Sequence, residues 1–222
     1  MGIQQIGVIF HGIGAPVRRL ESGETPYWIS VERFEAMLDA IAMDRKRYRI
    51  TFDDGNLSDH AIALPRLLER GLRAEFFVLT GRIGQSGSLG PQEIADLLAA
   101  GMGIGSHGVA HRDWCTLSAA ALRVELEESK AVLEQLCDRP VIKAGIPFGS
   151  WNARVLRALR RAGYESAWSS DGGWMCNDAF LRPRRSVRSD MDEATLRDLL
   201  SGRIGLIRKL RRGFSMTLRR MT

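Results

Sequence analysis

The sequence predicts an α/β protein whose parallel strands close into a barrel. Short apolar runs alternate with longer stretches of helical periodicity along the chain, which is typical of a parallel sheet built from strand–helix units. Three of the predicted strands end in residues suited to chemistry, and strand ends of this kind meet on one rim of a barrel. At 222 residues the chain is long enough for one such domain with a well-buried core.

The strands are predicted from apolar runs bounded by turn residues. They are expected at 6–11, 48–53, 75–79, 102–107, 141–146, 165–169 and 183–188. The helices between them are expected at 31–42, 58–70, 91–100, 118–137, 152–162 and 192–201. Ser30 can cap the first helix, Pro65 would bend the second, and Pro91 and Gly101 bound the third.

Two of these helices have a predicted inward face. Helix 31–42 carries Phe34, Met37 and Leu38 on one side. The longest helix, 118–137, is expected to direct four leucines toward the core, namely Leu122, Leu126, Leu133 and Leu136.

Two adjacent carboxylates, Asp53 and Asp54, follow the second strand and precede Gly55. Neighbouring residues of a strand point to opposite sides, but at a strand's end the chain turns and both carboxylates can converge on one site. Two like charges held close together are costly unless a cation lies between them or one takes up a proton. The pair therefore indicates a metal ligand beside a general base. The alternative is a helix N-cap, for which Asp is also suited.

Two histidines four residues apart, His107 and His111, follow the fourth strand. This spacing would place both imidazoles on one face of a helical turn, where they could hold one divalent metal. Two histidines with one aspartate form a facial triad that leaves coordination positions open for water and substrate. Such open positions are typical of catalytic rather than structural metal sites.

These segments resemble the motifs of the polysaccharide deacetylase family, the NodB-homology domains of carbohydrate esterase family 4. Residues 51–55 (TFDDG) match the first motif at every position, and residues 106–111 match the second, with Gly108 where Ser or Thr is usual. Residues 146–149 (IPFG) resemble the third motif. The resemblance extends from about residue 8 to 187, and it implies a deformed (β/α) barrel of about seven parallel strands.

The resemblance also implies a role for each matching residue. Asp53 would be the general base, Asp54, His107 and His111 the metal ligands, and the backbone N–H of Phe148 a donor to the oxyanion. A bound metal polarises an amide carbonyl and lowers the pKa of its water toward about 7. A neighbouring carboxylate can then take the proton, and nearby N–H groups stabilise the oxyanion. Zinc is the expected metal, although two histidines and one aspartate also suit cobalt, nickel or iron.

The acid that protonates the leaving amine is the first departure from the family pattern. Most members carry it on a late Leu-x-His motif, but no histidine follows His111 here. A branch of the family that includes exopolysaccharide deacetylases begins with a Tyr-His segment, which Phe10 and His11 resemble. His11 is therefore the candidate acid. The alternative is a surface histidine at a strand end.

The second departure is Gly145, which stands where the family often has an arginine that orients the base. The same branch tends to have a small residue there and a later Pro-Arg segment, which the segment around Arg184 resembles. Arg184 is therefore expected to reach Asp53, and the alternative is a solvated arginine. Trp168 is expected in the core, and Trp174 is a candidate for stacking on a sugar ring.

Composition predicts the compartment and the substrate pool. The three cysteines are odd in number and lack metal spacing, which indicates reduced thiols. The first residues lack the basic and apolar regions of a signal peptide, so the expected location is cytoplasmic. Biosynthetic intermediates such as lipid-linked or nucleotide-linked amino sugars are then the expected substrates.

The net charge of +6 lies in the tail 203–222, which holds seven basic residues and no acidic ones. Residues 1–202 carry 25 basic and 26 acidic residues and form the expected barrel domain. Apolar residues recur at roughly helical spacing in the tail, and such a basic amphipathic segment can lie on an anionic membrane at the inner face. The alternative is a final helix packed on the barrel. Aromatic residues are too sparse for nucleic-acid binding, and no protein partner is indicated.

The expected function is metal-dependent removal of an N-acetyl group from an amino sugar in a glycan or lipid-linked glycan precursor, as in exopolysaccharide biosynthesis. Two alternatives stay open. One is a deformylase or another amide hydrolase, because the residues define attack on an amide carbonyl and leave the acyl group undefined. The other is a catalytically silent barrel that binds carbohydrate or lipid.

Overall fold

In the computed structural model, which describes residues 4–202, the chain forms ten strands and six α-helices within that range. The strands are β1 (Gln4–Phe10), β2 (Gly12–Ile13), β3 (Trp28–Ile29), β4 (Tyr48–Asp54), β5 (Ala74–Val78), β6 (Gly103–Ser106), β7 (Lys143–Gly145), β8 (Ser166–Ser169), β9 (Trp174–Cys176) and β10 (Leu181–Ser186). The α-helices are α1 (Val31–Ala42), α2 (Leu64–Glu69), α3 (Pro91–Ala99), α4 (Ala119–Cys137), α5 (Ala153–Arg161) and α6 (Glu193–Ser201).

Seven parallel strands close into a barrel in the order β1, β4, β5, β6, β7, β8, β10 and back to β1. The closing contact pairs β10 with β1, and Gly7 lies opposite Arg184 in this register. The predicted barrel of about seven parallel strands is therefore confirmed. The sequence did not indicate β9, which pairs antiparallel with the start of β1.

The helices begin and end near the predicted residues. The Ser30 hydroxyl accepts the backbone N–H of Arg33 at the start of α1, as expected of an N-cap. The predicted helix 58–70 is divided into a π-helical turn (Asp59–Ala63) and α2. Pro65 accounts for the division because it lacks an N–H and its ring obstructs the preceding turn.

One predicted helix face is partly wrong. Leu122, Leu126 and Leu133 of α4 are buried, but Leu136 is 36% exposed and Cys137 takes the core position instead. Core positions on this helix recur every three or four residues, and Leu136 lies about 100° of helix rotation away from Cys137.

Two apolar regions support the barrel. A large cluster between the strands and helices includes the stacked rings of Phe52 and Phe76, whose centroids lie 4.6 Å apart. Inside the barrel, a smaller cluster joins Phe77, Trp168 and Met175. Because alternate residues of a strand face opposite sides, Phe52 packs outward while the next residue faces the interior. The expectation that Trp168 belongs to the core is confirmed, since it is 1% exposed.

Among residues 4–202, no helix combines the length and the apolar composition needed to cross a membrane. The tail 203–222, for which membrane contact and packing on the barrel are both open, lies outside the described residues.

Candidate active site

The two adjacent aspartates end β4 and face one pocket. Asp54 has a positive φ of 82°, and Gly55 follows with φ 70°. A left-handed residue reverses the usual alternation of a strand, so both carboxylates can face the same side. For a non-glycine residue this backbone conformation costs about 1–3 kcal/mol, which the surrounding fold must offset. The alternative role as a helix cap is wrong, because the following helical turn begins at Asp59 and its N-cap residue is Ser58.

Asp54, His107 and His111 form a candidate metal centre. Each offers one ligand atom, and these atoms lie within 4.8 Å of one another. Asp54 Oδ1 is 3.5 Å from His107 Nε2 and 3.6 Å from His111 Nε2, and it is buried without a hydrogen-bond partner among the described residues. Burial lowers the pKa of His107 to about 4, so its imidazole is neutral near pH 7. A buried carboxylate oxygen that faces two imidazole nitrogens fits a divalent cation.

The histidines converge through an irregular loop, and the predicted helical turn is wrong. Residues 107–111 contain no helix, and both Gly108 (φ 85°) and His111 (φ 49°) have left-handed backbones. The Gly108 N–H donates to Ser106 Oγ at 3.0 Å. A Cβ at position 108 would lie 2.7 Å from Glu125 Oε2, so the Ser or Thr that the family usually has would clash here.

Glu125 holds this loop from α4. Its Oε2 accepts the backbone N–H groups of Val109 at 2.7 Å and Ala110 at 3.2 Å. Sequence reasoning missed Glu125. The available signal was an acidic residue between Leu122 and Leu126 on the inward face of the helix, because a buried carboxylate needs partners.

Arg184 reaches the proposed base through a bidentate ion pair. Its Nη1 lies 2.7 Å from Asp53 Oδ1 and its Nη2 3.0 Å from Asp53 Oδ2. The alternative of a solvated arginine is wrong, since Arg184 is 0% exposed. Burial alone would raise the pKa of Asp53, but the charges and hydrogen bonds around it, those of Arg184 foremost, outweigh burial and lower the pKa. Asp53 is therefore ionised near pH 7 in the folded protein.

Two glycines make room for this arrangement. A Cβ at Gly7 would lie 2.7 Å from Arg184 Cγ, so β1 needs glycine where the arginine stem passes. A Cβ at Gly145 would lie 2.8 Å from Phe77 Cγ and 3.0 Å from His107 Nδ1. The family's usual arginine therefore does not fit at position 145, and Arg184 supplies a guanidinium from β10, two strands away from β7.

The pocket above these residues has a volume of about 290 Å³. His11 follows β1 and lines the pocket with its ring centroid 4.7 Å from that of Tyr27, and its Nδ1 is buried without a hydrogen-bond partner among the described residues. Phe148 occupies a tight turn after β7 with φ 58°, and its ring lies 4.4 Å from that of His111.

The structure therefore brings all the predicted site residues together, with Arg184 beneath the pocket and the others on its wall. Their catalytic roles stay predictions. Trp174 does not line the pocket: it pairs with Ile6 near the start of β1, at the end of the barrel away from the site. The suggestion that Trp174 stacks on a sugar is therefore wrong for this pocket.

Comparisons with known proteins show which proteins this chain is similar to. The candidate polysaccharide deacetylase YxkH of Bacillus subtilis is 25% identical over 139 residues, which is 63% of this chain and 50% of YxkH. The chitin deacetylase of a Pestalotiopsis species is 30% identical over 117 residues, 53% of this chain and 39% of that protein. The chain thus spans half or less of the length of these curated relatives.

Solved structures share the fold. The deacetylase PplD of Streptococcus pyogenes, solved with acetate, superposes with a TM-score of 0.77 at 19% identity, covering 91% of this chain and 99% of PplD. IcaB of Ammonifex degensii gives a TM-score of 0.71 at 17% identity, with coverages of 90% and 97%. The sequence profile described as polysaccharide deacetylase matches residues 40–167, which is more than half of the chain. The protein therefore belongs to the polysaccharide deacetylase family.

Proposed function

We propose that this protein removes the N-acetyl group from an amino sugar in a glycan or lipid-linked glycan precursor, with the help of a divalent metal. The observation that carries the proposal is the cluster of ligand atoms from Asp54, His107 and His111 in the same pocket as the ion-paired Asp53. A metal site beside an ionised carboxylate is one arrangement that can hydrolyse an unactivated amide.

The metal would be held by Asp54 Oδ1 and by the Nε2 atoms of His107 and His111. When bound, it supplies a Lewis acid for the amide carbonyl and for water. Zinc is the first expectation from the donor set, and cobalt, nickel and iron suit the same donors.

The remaining chemistry is assigned to the chain's own residues. Asp53, kept ionised and oriented by the two hydrogen bonds from Arg184, accepts the proton of the attacking water. The Phe148 N–H, directed by its left-handed turn, donates to the oxyanion. His11 gives a proton to the leaving nitrogen, so the products are acetate and a free amine.

The substrate class is inferred from the pocket and from the relatives. The pocket is at the small end of ligand sites, which suits an acylamino group with part of one sugar ring. The name chitin deacetylase and the acetate in PplD also support an N-acetylated glycan. Cytoplasmic location and membrane contact through 203–222 stay predictions from the sequence.

The proposal is tested by acetate release from N-acetylglucosamine oligomers after loading with zinc or cobalt. Asp53→Asn is expected to lower the rate by about 10²–10⁴-fold, because the amide cannot serve as the base. The exposed Asp44→Asn is the matched control and should retain activity. Full activity in Asp53→Asn would show that another group is the base.

A panel of substrates separates the alternatives. Faster turnover of N-formyl than of N-acetyl sugars would favour a deformylase. Tight glycan binding with metal present and no turnover of any N-acyl sugar would favour a binding barrel.

A further inference from the structure

The ring of His111 is held by a glutamate that no sequence motif indicated. Glu21 lies in the loop between β2 and β3, and its Oε2 is 3.1 Å from His111 Nδ1. An ionised carboxylate can only accept a hydrogen bond, so the His111 Nδ1 carries the proton in this contact. The second carboxylate oxygen of Glu21 forms an ion pair with Arg82, which follows β5.

This contact determines which nitrogen of His111 is available to a metal. With the proton on Nδ1, the lone pair is on Nε2, and this is the nitrogen 3.6 Å from Asp54 Oδ1. His107 reaches the same tautomer by another route, because its Nδ1 donates to the Gly145 carbonyl oxygen at 2.9 Å. Both histidines thus present Nε2 to Asp54.

His111 depends more on such a contact than His107. Its side chain is 16% exposed, against 2% for His107, so packing restrains its ring less. Its backbone lies in an irregular loop, whereas His107 directly follows β6. A neutral imidazole has two tautomers, and the wrong one places a proton on the ligand nitrogen.

The position of Glu21 is itself restrained. Its backbone N–H donates to Glu24 Oε2 at 2.8 Å, and Glu24 is paired with Arg18. Arg18 in turn donates to Asn56 Oδ1 at 2.9 Å, just after the aspartates of β4. Because these bonds tie the loop to the rim of the barrel, Glu21 is held in place although its side chain is 51% exposed.

We propose that Glu21 is a positioning residue of the metal centre, which fixes the Nδ1–H tautomer and the ring orientation of His111. This inference rests on the proposed function of the site. Carboxylates that accept from a metal-bound histidine commonly raise metal affinity by about 10–100-fold. Glu21 would also couple the loop that follows His11 to the metal loop after β6.

The first test uses the metal-free protein at pH 8 and reads the tautomer by long-range ¹H–¹⁵N NMR of the imidazoles. The four histidines allow assignment by comparison with His111→Gln. In the parent protein His111 should be protonated on Nδ1, and Glu21→Ala should convert a large fraction to the Nε2–H form. An unchanged tautomer in Glu21→Ala would overturn the proposal. This readout needs neither metal nor turnover. The NMR result therefore tests the role of Glu21 even if the protein proves not to be a deacetylase.

The second test measures zinc affinity by competition with a chromogenic chelator. Glu21→Ala is expected to weaken binding by about 10–100-fold, and Glu21→Gln by less, because an amide oxygen still accepts but carries no charge. The matched control is Glu193→Ala, which removes an exposed glutamate that also pairs with an arginine. The unfolding temperature of the metal-free variants should stay close to that of the parent. Equal zinc affinity in Glu21→Ala and the parent would contradict the assigned role.

Discussion

Arg184 and Asp53 form a buried ion pair whose two members differ in what their loss would cost. Both are almost completely removed from solvent, and the guanidinium also donates to Thr51 Oγ1 at 2.9 Å and lies over the Phe77 ring at 4.9 Å. Removing one partner of such a pair leaves an uncompensated buried charge, which typically costs about 3–5 kcal/mol. Replacing both partners by neutral groups leaves no buried charge without a partner.

This difference gives a prediction for a double-mutant cycle. Arg184→Met should lower the free energy of unfolding of the metal-free protein by about 3–5 kcal/mol, because the buried Asp53 carboxyl is left without its partner. Adding Asp53→Asn should recover part of that loss, so the two changes are not additive. Urea unfolding of the parent, both single variants and the double variant measures the coupling. Strictly additive losses would show that the two side chains do not interact.

Gly145 gives a second prediction at the scale of one residue. Gly145→Ala would place a methyl group 2.8 Å from Phe77 Cγ and 3.0 Å from His107 Nδ1. Overpacking of this kind costs about 1–3 kcal/mol, and the shift of His107 should also weaken metal binding. Urea unfolding and zinc titration of the same preparation measure both effects. If stability and zinc affinity both equalled those of the parent, the space beside Gly145 would be larger than the structure indicates.

At the scale of elements, α4 supports the site through the buried side chain of Glu125. Glu125 is 3% exposed, and it connects the longest helix to the loop that carries His111. Strand ends of a barrel supply positions for functional groups, but the loops beyond them need separate support. Here that support comes from a helix that follows the loop in sequence.

Glu125→Ala should therefore affect both stability and metal binding. It leaves the N–H groups of Val109 and Ala110 without their acceptor. An unsatisfied buried donor costs about 1–3 kcal/mol, and because Val109 is half-buried and Ala110 exposed, the loss is expected at the lower end for each. Glu125→Gln should retain most of the stability, because the amide oxygen can accept both bonds. Glu128→Ala on the exposed face of the same helix is the matched control. Urea unfolding measures the free energies of unfolding. Equal values for Glu125→Ala and Glu128→Ala would refute this role.

The elements that carry the motifs could be predicted from the sequence, but the loops that complete the site could not. Apolar runs that end in Asp53 or His107 define strands and their functional ends locally. The left-handed backbones of Asp54 and His111 have no such signal, because aspartate and histidine adopt them only in a particular tertiary setting. The Glu21–His111 contact joins residues 90 positions apart, so no local pattern indicates it.

At the scale of the whole molecule, one part of the barrel interior is filled by apolar side chains and the other part contains the candidate site. Phe77, Trp168 and Met175 fill the part below the Arg184–Asp53 pair, and the pocket opens above that pair at the carboxyl ends of the strands. The ligand set takes Asp54 from β4 and two histidines from the segment after β6, so it exists only when β4, β5 and β6 are assembled side by side.

Because the unfolded chain lacks this ligand set, metal should bind only the folded protein and stabilise it. Binding only to the folded state adds about 2.7 kcal/mol when free metal is 100 times its dissociation constant. For a domain of this size that corresponds to a rise of about 5–10 °C in the unfolding temperature. Thermal unfolding after chelation, and again after adding zinc, measures the rise. Asp54→Asn is the informative variant, because asparagine tolerates the left-handed backbone but is a poorer ligand. It should lose most of the zinc-dependent rise, whereas an undiminished rise would mean that zinc binds the folded protein elsewhere.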